Sequence, residues 1–531
     1  MRRPARMAVV VILMSGFGAS CVTWTDREAD TRLGPAPLPE TGAPAAAAAP
    51  ARAAGPLILS VQQAVLTTIE NNRSLRVQRF EPAIRRTSEE QARAAFDPTL
   101  DAGASASRSE FRRVPGASEV GLQNADARDI AANASVSEAL TTGTRLSAAA
   151  GLDGSRTSTG GELDSARLGV SVTQSLLKGA PVAVNLASLR QARLDTLASE
   201  YELRGFAETL VADAEQKYWD VVLAERSMQI VSNSVILAGQ RIEETRERIR
   251  VGALPAVELA AAEAELAVRR EGLIDAAGNL DTSRLQLLRF LGPPGSNGWS
   301  ASLTLTDAPL LPPDLSRLES PDRHAEVALR LRPEMNQARL SLQRGELEVV
   351  KTRNGLLPRL DLFVNLAKTG YADSFGGTPG HLKDSTYDAE IGVTFEQALG
   401  NRAARAAHER ASLSLAQGAE SLANLGQLVQ LDIRTAYVDL VRARQQVEAT
   451  AATRKLQEEA RNAELAKFQV GKSTSFLVAQ AERDLLAGQL AEVQAVVGCL
   501  KSLVNFYRLE GSLLERRGIE APGRAPVDEH P

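Results

Sequence analysis

The sequence has few of the residues from which catalytic and metal sites are built. Only two cysteines, Cys21 and Cys499, and four scattered histidines occur in 531 residues, so neither a zinc framework nor another metal-ligand spacing is present. The run Gly471-Lys472-Ser473 lacks the first glycine of a phosphate loop, and no nucleophile is accompanied by a base. We therefore expect neither an enzyme nor a protein with a bound cofactor.

The sequence also has no large excess of charge of one sign, few aromatic side chains and few long hydrophobic runs. The 61 basic residues are balanced by 65 acids, and no basic stripe carries interleaved aromatics, so nucleic acid is not an expected partner. Aromatic residues amount to 4%, and alanine must fill the interior, which suits closely packed helices. Beyond the N-terminus no run reaches the roughly 18 apolar residues of a membrane-spanning helix.

The N-terminus has the layout of an export signal. Three arginines precede an apolar stretch, and small residues lead directly into Cys21. This resembles a bacterial lipobox, with Gly18 in the usual place of leucine, and it predicts a signal peptide over residues 1–20 and a lipidated Cys21. An ordinary signal peptide cut nearby is the alternative. By the same resemblance, Val22 after the cysteine directs a lipoprotein to the outer membrane. Residues 21–56, rich in proline and alanine, are typical of an extended tether.

The remainder of the chain is a duplication. Val251-Gly252 and Tyr218-x-Asp220 come back as Val470-Gly471 and Tyr437-x-Asp439, both at an offset of 219 residues (471 − 252). In each copy an apolar-periodic run ends at the glycine and a second run begins, which is typical of two helices folded back at a tight turn. The chain must therefore be interpreted as two copies of one unit.

Each copy predicts a helix, strands, a long helix and a shorter helix, in that order. The predicted spans are 60–96 and 321–357 for the first helices, 185–250 and 402–470 for the long helices, and 256–291 and 476–509 for the shorter ones. Each long helix measures on the order of 100 Å and needs partners along its whole length. The first and last helices of a copy, stacked end to end, supply them. The predicted domains are repeat one at 57–292, a linker at 293–320, repeat two at 321–510 and a disordered tail at 511–531.

Between the first and the long helix of each copy, the hydrophobic period changes to two, which predicts strands. These strands lie around 100–106 and 168–172 in the first copy and around 360–366 and 387–395 in the second. Pro98 matches Pro358 at an offset of 260 (358 − 98), so the first copy is 41 residues longer there (260 − 219). Alternation at 132–136 and 146–150 predicts an additional hairpin that accounts for most of this surplus.

Strands of nearly ten residues with one apolar face have the length that crosses a bilayer. Strands in lipid must close into a barrel, and the smallest such barrels have eight strands. Four strands of one chain cannot close, whereas three chains give about twelve. The sequence thus predicts an α+β membrane protein whose copies form an oligomeric tube, with a transmembrane β-barrel at the lipid end and a long antiparallel α-helical coiled-coil barrel on the other side.

Several short motifs carry a resemblance to a known family. They are Ala95-Phe96-Asp97-Pro98-x-Leu100, Gly355-Leu356-Leu357-Pro358-x-Leu360, Val172-Thr173-Gln174-Ser175-Leu176, Ala214-x-x-x-Tyr218-x-Asp220-Val221 and the two Val-Gly turns. In this order the chain from Ser60 to Leu509 resembles the TolC family of outer-membrane efflux channels, on its lipidated branch. The resemblance implies a homotrimer in the outer membrane that extends into the periplasm. It also implies a periplasmic adaptor (membrane fusion) protein and an inner-membrane pump of the RND, ABC or MFS type as partners.

Two sets of site residues follow from this resemblance. The adaptor-docking turns are Val251, Gly252, Val470 and Gly471. The periplasmic gate candidates are Glu258, Glu263, Phe476 and Leu477. Carboxylates from three copies that face a narrow lumen attract cations. The alternatives are that the turns are purely structural and that Glu258 lies on a solvated helix face.

Other functions stay open at the level of sequence. The cargo is either small molecules or, in an exit duct for type I secretion, a protein or polysaccharide. A lipid-anchored periplasmic coiled-coil scaffold without a pore is a more distant alternative, and the alternating strands argue against it. The sequence also leaves open whether the additional hairpin joins the barrel.

Overall fold

The computed structural model describes residues 57–113, 123–157, 161–252, 254–292, 299–312, 319–372, 378–383, 386–523 and 525–527. The predicted signal peptide, Cys21 and the tether lie outside the described residues. Within the described ranges, no helix is both long enough and apolar enough to cross a membrane.

The first repeat begins with strand β1 (Leu57–Leu59) and three successive helices, α1 (Val61–Asn71), α2 (Arg73–Gln78) and α3 (Phe80–Arg93). A capping box starts α1, because the Ser60 and Gln63 side chains each accept from the other's backbone N–H. At Asn72 the backbone is extended, and the Asn72 side chain caps α2. The extended backbone at Asn72 interrupts the helix that the sequence predicts at 60–96.

Six strands form one antiparallel sheet. They are β2 (Thr99–Arg113), β3 (Gln123–Ala139), β4 (Thr144–Thr157) and β5 (Gly161–Ser175) of the first repeat, and β7 (Arg359–Ala372) and β8 (Tyr387–Glu396) of the second. Their spatial order is β2-β3-β4-β5-β7-β8. The predicted additional hairpin is β3–β4, and it lies inside the sheet between β2 and β5. Each chain therefore supplies six strands to the sheet, two more than the four from which a twelve-stranded trimer was expected.

The helices match the predicted spans within three residues. The first repeat continues with α4 (Val182–Asn185), α5 (Ala187–Arg250) and α6 (Val257–Leu291), and the second contains α7 (Pro321–Leu331), α8 (Pro333–Gly355), α9 (Arg402–Gln469), α10 (Ser475–Glu510) and α11 (Leu513–Arg516). With 64 and 68 residues, α5 and α9 are about 96 and 102 Å long. Helix α5 packs along α3 and α6, and α9 along α8 and α10. The predicted arrangement of two shorter helices beside each long one is confirmed.

A small parallel sheet ties the linker to the start of the fold. Strand β1 pairs with β6 (Leu303–Leu305), a contact that the sequence analysis did not anticipate. The buried Tyr218 hydroxyl donates to Leu59 O at 3.1 Å and accepts from Asp307 N–H at 3.2 Å. Asp307 Oδ2 in turn accepts from Val61 N–H at 2.7 Å, at the start of α1. Burial raises the pKa of Tyr218 to about 12, so the hydroxyl stays protonated and keeps donating.

The predicted disordered tail differs most from the structure. Leu513 and Leu514 of α11 are fully buried in a cluster with residues of α5, and Ile519 packs against it. Arg517 donates two hydrogen bonds of 2.6 Å to Glu215, which is fully buried on α5. The prediction rested on the position of this segment at the end of the sequence. A pair of leucines and one arginine hold this segment in place.

A second Arg–Glu pair is buried on α5. Arg204 and Glu208 expose 2% and 3% of their side chains and lie 3.4 Å apart, and Glu515 approaches Arg204 to 3.4 Å. Burial raises the pKa of Glu208 to about 8, although the Arg204 guanidinium opposes the shift. Glu208 therefore favours the protonated state far above the ordinary pKa of a carboxyl.

We expect Arg517→Ala to destabilise the protein by about 3–5 kcal/mol, because it leaves the Glu215 carboxylate buried without a partner. The apparent unfolding temperature at neutral pH, followed by circular dichroism in detergent, measures this loss. Arg323→Ala is the matched control, since Arg323 pairs with Glu319 on the surface. Equal effects of the two substitutions would contradict a stabilising role for the tail.

Glu208 makes stability depend on pH. Its folded-state pKa of about 8 lies above the ordinary value of 4.5, so its contribution is fully present below about pH 4.5 and is lost as the pH rises through 8. We expect the unfolding temperature of Glu208→Gln to fall less between pH 5 and pH 8 than that of the wild type. Glu319→Gln, at an exposed position, should leave the wild-type slope unchanged. Parallel slopes for the wild type and Glu208→Gln would refute the assignment.

Candidate functional site

The two Val-Gly turns close helical hairpins at the ends farthest from the sheet. Gly252 and Gly471 have φ of +76° and +73°, in the left-handed region that glycine adopts without strain. After α9, Lys472 N–H donates to Lys467 O at 2.8 Å and Gly471 N–H to Phe468 O at 3.1 Å, which is a Schellman motif. After α5, Gly252 N–H makes the equivalent bond to Ile249 O at 3.0 Å. Both turns are thus ordinary helix ends by geometry.

Each turn presents an apolar side chain to solvent. Val251 and Val470 are 66% and 69% exposed. A valine held outward at the end of a rigid hairpin is a well-defined contact point, because the helices on both sides restrict its position. The duplication places the same feature at the end of each hairpin.

Three side-chain contacts join the α5–α6 hairpin to the α9–α10 hairpin near these turns. Arg241 and Glu482 form an ion pair of 2.5 Å between Nη2 and Oε1. The Arg248 guanidinium lies 4.8 Å from the centre of the Phe468 ring. Ser475 Oγ donates to the Glu258 carboxylate. We call these six residues the tip clasp: Arg241, Arg248, Glu258, Phe468, Ser475 and Glu482.

The structure brings one of the four gate candidates into the tip clasp. Glu258 is half-buried and binds Ser475, directly before Phe476 and Leu477 at the start of α10. Those two apolar side chains are 65% and 44% exposed. Glu263 instead pairs at 3.3 Å with Arg246 of its own hairpin and takes no part in the clasp.

Ser473 stabilises the second turn. It donates to Glu464 on α9. This hydrogen bond and the Lys467 ammonium at 3.0 Å lower the pKa of Glu464 below its ordinary value. The second turn is therefore stabilised by the contacts of Glu464 with Lys467 and Ser473 within its own hairpin.

The clasp residues other than Glu258 were missed by sequence reasoning. Their partners come from different repeats and do not follow the offset of the duplication, so neither repeat shows the contact alone. One signal was available. Arg241 lies ten residues before Val251 and Glu482 twelve residues after Val470, so opposite charges stand about 15 and 18 Å from the turns along adjacent helices.

A further ion pair joins the hairpins closer to the sheet. Lys501 Nζ lies 2.6 Å from Asp220 Oδ1 and links α10 to α5. Asp439, the counterpart of Asp220 in the second repeat, pairs with Arg442 on its own helix. The tip clasp is thus the outermost part of a series of contacts between the two hairpins.

The six-stranded sheet has one apolar face and one polar face. Strand register places apolar side chains in continuous rows across all six strands, for example Leu100, Val136, Ala148, Val170, Leu366 and Ala389. The larger members of this row are exposed. The outer edges of β2 and β8 have no partner strand among the described residues.

Hydroxyl, amide and carboxylate groups occupy the opposite face. Asp129 accepts from Ser107 at 3.2 Å and from Ser155 at 2.8 Å. On the other half of the sheet, Asn365 accepts from Ser171 at 2.6 Å and donates to Glu390 at 3.0 Å. Across the described ranges, no group of three or more His, Cys, Asp or Glu could hold a metal ion.

The family model described as outer membrane efflux protein matches residues 65–293 and 325–512. Among solved structures, the Campylobacter jejuni CmeC outer membrane channel is similar, with a TM-score of 0.64 at 16% identity over 85% of this chain and 86% of that one. CusC, described in connection with transmembrane channel formation, gives 0.63 at 16% identity over 85% and 92%. The open state of the Neisseria gonorrhoeae MtrE outer membrane channel gives 0.58 at 18% identity over 86% and 89%. No curated protein sequence matches the chain.

The tip clasp should restrict how far the two hairpins separate. We expect Arg241→Ala to lengthen and broaden the distance distribution between spin labels at Val251→Cys and Val470→Cys, measured by double electron–electron resonance. Arg250→Ala is the control, because Arg250 pairs within α5, with Glu247 at 2.8 Å. Identical distributions for the two variants would show that the Arg241–Glu482 pair does not hold the hairpins together.

Proposed function

This chain belongs to the outer membrane efflux protein family, and from that premise we propose that three copies form the outer-membrane duct of a tripartite efflux system for small molecules. The duct receives its cargo from an inner-membrane pump of the RND, ABC or MFS type through a periplasmic adaptor. The protein acts as a channel, and the side chains that line the passage determine its properties.

The observation that carries this proposal is the open six-stranded sheet with an exposed apolar face. An apolar face of this extent is stable in lipid, but the unpaired edges of β2 and β8 are not. Six strands are fewer than the eight of the smallest membrane barrels. Edge-to-edge closure with further copies satisfies both edges and encloses the polar face as a lumen.

The helices extend the lumen away from the membrane. At any level along the hairpins, α5 and one partner stand beside α9 and one partner, because α3 and α6 share the length of α5 while α8 and α10 share that of α9. Three copies give a ring of about twelve helices around the axis, of the kind that coiled-coil packing supports. A pore-free scaffold explains the helices but gives the sheet no role.

We place adaptor docking at the two turns, through Val251, Gly252, Val470 and Gly471. Exposed valines at the ends of paired hairpins present repeated apolar contacts to helical tips of a partner. The gate lies next to them, with Glu258 as its charged member and Phe476 and Leu477 as its apolar members. Glu263 pairs with Arg246, so we assign it a smaller role in the gate.

Lipidation of Cys21 would anchor the N-terminus at the membrane that holds the sheet. The proline-rich residues 21–56 are long enough to reach from a lipid surface to α1, since an extended chain covers about 3 Å per residue. Acyl chains at this position assist anchoring, while the sheet spans the membrane.

Planar-bilayer recordings of the purified oligomer test the proposal. We expect a crosslinked trimer that gives discrete, cation-selective conductance steps, and we expect Glu258→Gln to reduce the selectivity because it removes three carboxylates from a narrow lumen. Glu319→Gln removes the same charge away from the turns and should behave like the wild type.

The outcomes separate the parts of the proposal. A monomer without conductance would overturn the channel. A conducting trimer whose selectivity is the same in Glu258→Gln would keep the channel and remove Glu258 from the gate.

A further inference from the structure

We infer that the β3–β4 hairpin is part of the membrane-spanning wall, so that three copies close a barrel of eighteen strands with β2 of one copy beside β8 of the next. The inference rests on the proposed function and extends it to the size and lining of the pore. Its basis is the register, facing and anchoring of the inserted hairpin.

Register integrates the hairpin fully into the sheet. Every residue of β2 from Thr99 to Arg113 has a partner on β3, and β4 pairs with β5 along its whole length from Thr144 to Thr157. An inserted hairpin that lay outside a barrel would leave β2 to pair with β5. Here β2 and β5 are separated by two strands, and the sheet closes only if the hairpin closes with it.

The distribution of side chains between the two faces of the sheet leads to the same conclusion about the hairpin. In the middle of β3 and β4, the apolar face carries Ile130, Ala132, Ala134, Val136, Leu146, Ala148, Ala150 and Leu152, which continue the rows of Leu100 and Val170. Arg128, Glu138 and Arg156 lie on the same face toward the strand ends. On the other face, Asp129 of β3 is bonded to serines of β2 and β4. Both the lipid face and the lumen face thus run through the hairpin without interruption.

The turn of the hairpin is fixed at the junction of sheet and helices. Gly143 has a φ of +78°, and a Cβ there would lie 2.3 Å from Gly179 O. Asn185 Nδ2 donates to both Thr141 O and Gly179 O at 2.9 Å. Gln174 Nε2 donates to Thr142 O at 3.1 Å. The hairpin therefore spans the full height of the sheet and ends where β5 passes into α4.

The dimensions of strands and helices agree with six strands per copy. Six strands spaced about 4.8 Å apart and tilted by about 40° cover about 38 Å of circumference. Four helices side by side at 8–10 Å cover about 32–40 Å. Four strands at the same tilt cover only about 25 Å. The hairpin brings the circumference of the barrel close to that of the helical tube.

The consequence is a wider passage through the membrane. At equal tilt a barrel of eighteen strands is about 1.5 times as wide as one of twelve, and barrels of this size enclose an aqueous channel. The hairpin also adds Asp129, Asp153 and Arg145 to the polar face. The lumen at this end is therefore broad, with charges of both signs on its wall.

Cysteine labelling tests the facing of the hairpin. In a Cys499→Ala background, a membrane-impermeant maleimide is applied to the trimer in lipid vesicles. We expect Ala149→Cys on the polar face of β4 to react and Ala150→Cys on the apolar face to be protected. Ala367→Cys and Leu366→Cys of β7 form the matched pair, because β7 belongs to the wall with or without the inserted hairpin.

The outcomes distinguish this inference from the proposed function. Alternation in both pairs supports the eighteen-stranded wall. Alternation in β7 with labelling of both β4 positions places the hairpin outside the wall and overturns the inference, while the channel remains. Absence of alternation in both pairs means that the sheet is not in the membrane, and the proposed function fails.

Cryo-electron microscopy of the trimer in nanodiscs counts the strands directly. We expect eighteen in the wild type and twelve in a variant in which residues 114–160 are replaced by a short Gly-Ser turn, so that β2 leads directly into β5. The barrel cross-section should then fall to about 0.4 of its former area, as the square of its width. A twelve-stranded wild-type barrel would refute the inference. The strand count of the wild type does not depend on whether the variant folds.

Discussion

Backbone hydrogen bonding at the edges of the sheet constrains the rest of the structure. Between β2 and β8 each strand finds its partner, but the outward N–H and C=O groups of these two edge strands are left without one in a single chain. In a lipid environment each unpaired group costs several kcal/mol, so the edges must meet other copies. Because α5 follows β5 through α4, and α9 follows β8, closure of the strands also brings the long helices of neighbouring copies side by side.

Duplication supplies the scaffold, while residues without a counterpart join its halves. Tyr218 and Tyr437 stand at equivalent positions, yet Tyr218 bonds to Leu59 and Asp307 whereas Tyr437 lies 6.3 Å from the ring of Phe506. Each repeat thus forms the same hairpin from the same local pattern. The contacts between repeats, including the tip clasp and the C-terminal segment on α5, arise only in the folded chain.

The difference between local and non-local information explains what the sequence predicted. Helix spans, strand positions and the additional hairpin follow from hydrophobic periods within short windows, and the structure has them within a few residues. The place of the hairpin in the sheet depends on the pairing of β3 with β2 and of β4 with β5, which no short window contains. The β1–β6 pair, the ion pair of Arg517 with Glu215 and the Arg241–Glu482 contact join residues far apart in the chain, so no local period marks them. Alternation did predict correctly which face of each strand is apolar.

The junction between sheet and helices has to connect unequal numbers of elements. Four of the six strands connect to helices at this level, whereas β3 and β4 are joined to each other by their own turn. That turn is held by Asn185, and Asn354 of α8 accepts from Gly179 N–H at 2.8 Å beside it. The bonds therefore link the inserted hairpin to helices of both repeats at the level where the wall changes from strands to helices. Resistance to passage through a tube is greatest at its narrowest part. A barrel widened by the inserted hairpin therefore contributes little to the total resistance. We propose that passage is controlled at the far end of the helices, where Ser475 donates to Glu258 and joins the two hairpins.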